Sequence, residues 1–195
     1  DTYQFQKELR EFQQKHRWRE RPFVVGLHLR SGNGEENHFK ESGRESSRDV
    51  DETTMIARLI QLINKAVIHE TKRIADQTSD PVLQEQPLRP LLFVATDTAH
   101  LLPLIDKAVN QGITKEGSVE NDPTKITPGM LEVVTWPQYR LPKNAGVTFD
   151  SLQGQGGRCL QGWRSSMSDA LLLNSVDMLI AAKRSTFTQS LPLTL

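Results

Sequence analysis

The chain has 195 residues, with 24 Lys/Arg balanced by 24 Asp/Glu, 36% hydrophobic residues and a single cysteine. That length holds one domain or one lobe of a larger protein, and zero formal net charge runs against a general nucleic-acid binder, which carries a basic excess. Cys159 forms no internal disulfide, no apolar run reaches the ~18 residues of a transmembrane helix, and the first residues lack a signal-peptide pattern.

Residues 3–17 read as a helix with Tyr3, Phe5, Leu9 and Phe12 on one face. Six Lys/Arg between Lys7 and Arg21 stand against four acids in residues 1–20, which describes a solvated face. Residues 1–22 are thus expected to be an N-terminal helix and linker, and 23–195 the domain proper. Phe23 to Leu29 has the unbroken apolar run of a buried strand. Residues 31–52 form a polar loop too long for a mere connector. Asp51 or Thr53 is placed to cap a helix reaching about Ala75, with Ile56, Leu59, Ile60, Ile63, Val67 and Ile74 as its stripe. Three prolines mark residues 76–90 as loop.

Leu91 to Ala95 is a second buried strand. Thr96, Asp97 and Thr98 end it and open a helix through Asn110. A polar loop at 112–130 leads to a third strand, Leu131 to Thr135. An irregular segment is expected over 136–166, with Gly154, Gly156 and Gly157 pointing to mobility. A helix at 168–175, a strand at 177–181 and a last helix opened by Ser185-Thr186-Phe187 complete the chain. Strands alternating with helical stripes imply parallel βαβ units, hence an α/β fold with a Rossmann-like open sheet. The missing initiator methionine and the apolar stretch at Leu195 lead to the expectation of a piece cut from a longer protein.

Polar groups recur at the C-terminal ends of the predicted strands: His28 and Arg30, Thr96 and Asp97, Ser185 and Thr186. In an open parallel sheet these ends share one edge, where ligands bind. Arg30 offers a planar fork of donors suited to a diphosphate. Ser185 and Thr186 at a helix start can receive a phosphate oxygen or serve as a plain cap. Gly32 and Gly34 make the following loop adaptable, and Glu35 or Glu36 just beyond can act as a general base or stand solvated. Asp97 reads as a helix cap. Asp169 either caps the 168–175 helix through Ser168 or points a carboxylate at a base. Guanine presents two adjacent N–H donors that one carboxylate can accept. Asp177 reads as structural. The five histidines are scattered, and no HExxH, CxxC, Walker loop, GxGxxG or G-x-S-x-G elbow occurs.

His28-Leu29-Arg30-Ser31-Gly32-Asn33-Gly34-Glu35 resembles the first motif of the GDP-fucose-dependent α1,6-fucosyltransferases, the nodulation-factor branch above all. Phe93-Val94-Ala95-Thr96-Asp97 is similar to the second motif. Asp169-Ala-Leu-Leu-Leu, Asp177-Met-Leu-Ile and Ser185-Thr-Phe-Thr are similar to the third. Order and approximate spacing agree across residues 23–190. The resemblance implies the C-terminal, donor lobe of a GT-B fold and an inverting transfer of fucose from GDP-fucose to a glycan or chitooligosaccharide hydroxyl. It implies Arg30 on the β-phosphate, His28 near the guanine, Asp169 paired with it, Ser185 at the phosphate, and Glu35 or Glu36 as base. No metal or other cofactor is implied, since Arg30 takes up the diphosphate charge. Family members work in the Golgi lumen of eukaryotes or the bacterial cytoplasm. Where the core N-glycan branch has a second arginine this chain has Ser31, which argues against that branch's own acceptor. A non-catalytic nucleotide- or glycan-binding domain of the same fold, or a transferase using another GDP-sugar, is the alternative.

Overall fold

Hydrophobic periodicity decides the elements. The computed structural model describes residues 2–29, 52–77, 88–96, 101–111, 129–137 and 156–181. In chain order these form α1 (Thr2–Lys15), a 3-10 turn (Trp18–Glu20), β1 (Val24–Leu29), α2 (Glu52–Gln77), β2 (Leu91–Thr96), α3 (Leu101–Gln111), β3 (Glu132–Val134), α4 (Gly156–Leu173) and β4 (Met178–Ala181). The four strands make one all-parallel open sheet in the order β3-β2-β1-β4, an α/β architecture of the Rossmann-like kind. No helix among the described residues is long and apolar enough to cross a membrane.

The central strands are apolar on both faces, except for His28 and Thr96 near their ends, because both faces are covered. Val25, Leu27, Leu92 and Val94 pack with α2 and α3 through Ile56, Ile60, Ile63, Val67, Leu101, Ile105 and Val109. Val24, Leu91, Phe93 and Ala95 alternate onto the opposite face, where α1 and α4 supply Leu9, Phe12, Leu172 and Leu173. Phe12 anchors that layer, with its ring 6.2 Å from Phe93 and 5.0 Å from Trp136, both edge-on. Removing a buried ring of this kind costs about 3–5 kcal/mol.

Helix α1 therefore packs as part of the second layer. The indole N–H of Trp18 donates to the Ser175 carbonyl at 3.1 Å, and the Gln13 amide to the Ser175 hydroxyl at 3.1 Å. Tyr3 does not join the stripe: it is 67% exposed, and the packed face begins at Phe5.

Helix α4 differs most from expectation. The irregular segment over 136–166 and the short helix at 168–175 are replaced, over the described residues, by one helix from Gly156 to Leu173. Gly156 and Gly157 lie in its first turn, where a missing side chain breaks little. Ser168 is then mid-helix rather than a cap, and its hydroxyl donates back to the Arg164 carbonyl at 2.9 Å. Thr53 likewise lies inside α2, which begins at Glu52. Asp51, the other candidate cap, is outside the described residues, as are 97–100 before α3.

Candidate functional site

The strand order fixes where a ligand can enter. From β1 the chain moves outward through α2 to β2 and through α3 to β3. It then returns across the sheet through α4 to β4 on the other side of β1. Helices α2 and α3 lie on one face and α4 on the other. The strand order reverses between β1 and β4, so the carboxyl ends of these two strands mark the topological switch point, the place at which open α/β sheets hold ligands.

His28 stands at that end of β1. It is 8% exposed and interacts with a neighbouring group. Its register partners are Ala95 on β2 and Ala181 on β4. Residues in register point to the same face, so the imidazole stands between two methyl groups on the α4 side. Larger neighbours would fill that space.

Asp169 comes to the same place from α4. The chain turns from α4 into β4 at the amino edge of the sheet, where the Asp177 N–H donates to the Val24 carbonyl at 2.9 Å. Helix α4 therefore climbs toward the carboxyl edge as its numbers fall. A Cβ added at Gly26 would meet Leu173 Cδ2 at 3.0 Å, which sets Leu173 against Gly26. Four residues back along the helix is a rise of about 6 Å, and two residues forward along β1 is a rise of about 6.6 Å. Asp169 and His28 thus stand level on facing surfaces. Asp169 is also 8% exposed, and it too interacts with a neighbouring group. Ser165, buried one turn further up α4, extends this polar seam. Polar groups enclosed in an otherwise apolar layer are costly and are kept where they do something.

The other expected site residues fall elsewhere or outside the described residues. Arg30, one position beyond β1, Glu35, Glu36, Asp97, Ser185 and Thr186 lie outside them. Thr96 is buried at the end of β2, in register with Leu29 and so on the α2/α3 face rather than beside His28. Asp177 is structural, as its position implied: its carboxylate accepts the Val24 N–H at 2.7 Å. Among the described residues no group of three His, Cys, Asp or Glu side chains converges as metal ligands.

Sequence reasoning missed three contributors: Gly26, Ser165 and the alanine pair around His28. Gly26 in the middle of an apolar run was the readable clue, because a strand glycine often marks a close approach. A groove of about 710 Å³ opens further along the same face, between α1 and α4, with Phe12, Trp136 and Ser165 in its lining. It lies beside the residues that follow β3 and meets the polar seam at Ser165.

Neither a protein-family model nor a curated protein sequence matches this chain.

Proposed function

We propose that this chain is the donor-binding lobe of an inverting GT-B glycosyltransferase that moves fucose from GDP-fucose to a glycan hydroxyl. One observation supports the reading: Leu173 of α4 packs against Gly26 of β1, and counting the rises of helix and strand from that contact brings Asp169 to the height of His28, the two residues that the ordered motifs single out for the guanine. A carboxylate there accepts both the ring N–H and the exocyclic amine of guanine, and an imidazole beside it supplies a further polar contact.

The chemistry is a single displacement. The acceptor oxygen bonds to the anomeric carbon as the bond from that carbon to the β-phosphate oxygen breaks, and GDP leaves with the electron pair. Arg30 stabilises the charge growing on the diphosphate, together with amides and hydroxyls at Ser185 and Thr186. Glu35 or Glu36 takes the proton of the acceptor hydroxyl.

Calorimetric titration of the full-length protein with GDP, GDP-fucose, GDP-mannose and UDP tests the proposal. GDP and GDP-fucose should bind and UDP should not. Equal affinity for UDP and GDP would remove the guanine reading, and tighter binding of GDP-mannose than of GDP-fucose would move the donor to another GDP-sugar.

A further inference from the structure

We propose that Gly26 is a positioning residue for Asp169: its missing side chain lets α4 close on β1 to the depth that brings Asp169 level with His28. The inference rests on the reading of Asp169 as the group that recognises guanine.

A Cβ at position 26 would lie 3.0 Å from Leu173 Cδ2 and 3.0 and 3.1 Å from the two γ-methyls of Val176. Such distances are tighter than ordinary van der Waals contact, so the neighbours must give by some tenths of an ångström. The two neighbours differ in how they can give. Leu173 can turn its δ-methyl away, but Val176 is β-branched and stiff at χ1. Val176 lies in the turn directly after α4, so pressure on it passes to the helix end. The rest of the strand favours filling this position. Val24, Phe93 and Ala95 occupy the same face with side chains, and β-branched or aromatic residues suit a strand better than glycine does. A glycine here answers a need for closeness. Asp169 lies one helical turn from the contact and is carried by the same helix, so displacement of α4 moves its carboxylate relative to His28. Two hydrogen bonds to one base edge tolerate such displacement poorly.

The test uses the full-length protein, with GDP and inorganic pyrophosphate as probes and the thermal midpoint recorded alongside. Gly26→Ala should weaken GDP about tenfold, the worth of one hydrogen bond, and leave pyrophosphate unchanged. Gly26→Ala combined with Val176→Ala, which removes the two stiff methyls, should restore GDP affinity. Leu173→Phe presses on the same contact with Gly26 intact and should show the same GDP-selective loss, so the proposal stays testable if Gly26→Ala fails to fold. Equal loss of both probes, or unchanged GDP affinity in Gly26→Ala and Leu173→Phe, would overturn the positioning role alone. A wild-type protein that does not bind GDP would overturn the site reading, and this proposal with it.

Discussion

Arg21 and Glu132 meet at 2.6 Å at the amino edge of the sheet, the end opposite the candidate site. The Arg21 side chain is 6% exposed and ties three segments together. Nε donates to the His16 carbonyl at 3.0 Å, Nη1 to the Arg89 carbonyl at 2.9 Å and Nη2 to Glu132. One guanidinium thus joins the end of α1, the approach to β2 and the start of β3. A planar fork of donors is the side chain that can satisfy three acceptors at once.

Arg21→Ala should therefore destabilise the fold by roughly 2–4 kcal/mol, because it strands two carbonyls and a partly buried carboxylate. Arg21→Lys should recover little of that. Urea midpoints measure the loss, and GDP titration of the same variants should show unchanged affinity. A variant that loses GDP affinity while keeping its midpoint would place Arg21 in the site instead.

His16 gives this edge a pH dependence. Burial pushes its imidazole below the ordinary value of 6.5, with Lys15 and Arg21 adding to the effect, against a partly compensating pull from Glu132 at 3.7 Å. The unfolded chain takes up the proton first as pH falls, so unfolding binds protons and stability declines with acidification. The contribution is complete above pH 6.5 and is lost as pH drops from there through the lowered native value. His16→Gln should flatten that part of the profile of thermal midpoint against pH. A profile identical to wild type through mildly acidic pH would show that another group governs it.

Much of the sheet was legible in the sequence, because β1 and β2 are short, nearly continuous apolar runs interrupted by a polar residue only near their ends, the pattern of parallel strands covered on both faces. Helix α4 was not, because glycines normally break helices and here they open one. The Arg21 network was hidden for a different reason. An arginine in a charged stretch reads as solvated, and only the fold brings Arg89, Glu132 and the end of α1 around it. At the site, His28 and Asp169 could be singled out one at a time. Their common height depends on where α4 begins its turn into β4 and on Gly26, neither of which a motif encodes.

Arg30 follows β1 directly, and its removal should abolish donor turnover. A lost charge-assisted contact to a leaving diphosphate costs on the order of 2–4 kcal/mol in the transition state. Arg30→Lys should rescue little, because a point charge does not span two oxygens. Single-turnover transfer from GDP-fucose is the measurement. Wild-type rates in Arg30→Ala would remove Arg30 from the donor site.

Asp169→Asn should weaken GDP far more than it weakens pyrophosphate. The amide keeps one acceptor and turns the other position into a donor that faces a guanine donor. Calorimetry with both ligands separates the outcomes. Equal loss for the two would make the buried carboxylate a support for α4 rather than a reader of the base.

The glutamates after the glycine-rich loop decide between an enzyme and a binding module. Glu35→Gln should leave GDP affinity nearly intact and cut transfer by roughly 10²–10⁴-fold, the usual worth of a positioned base. Gly32 and Gly34 precede it, and glycine permits the backbone conformations by which a loop can bring a carboxylate over the anomeric carbon. Glu36 is the rival for the same role. Steady-state transfer by Glu35→Gln, Glu36→Gln and the double variant distinguishes them: the base is the residue whose single substitution reproduces the loss in the double. Normal transfer by the double variant would show that neither carboxylate accepts the proton. GDP binding with no transfer by the wild-type protein would favour a domain that holds the nucleotide without reacting it.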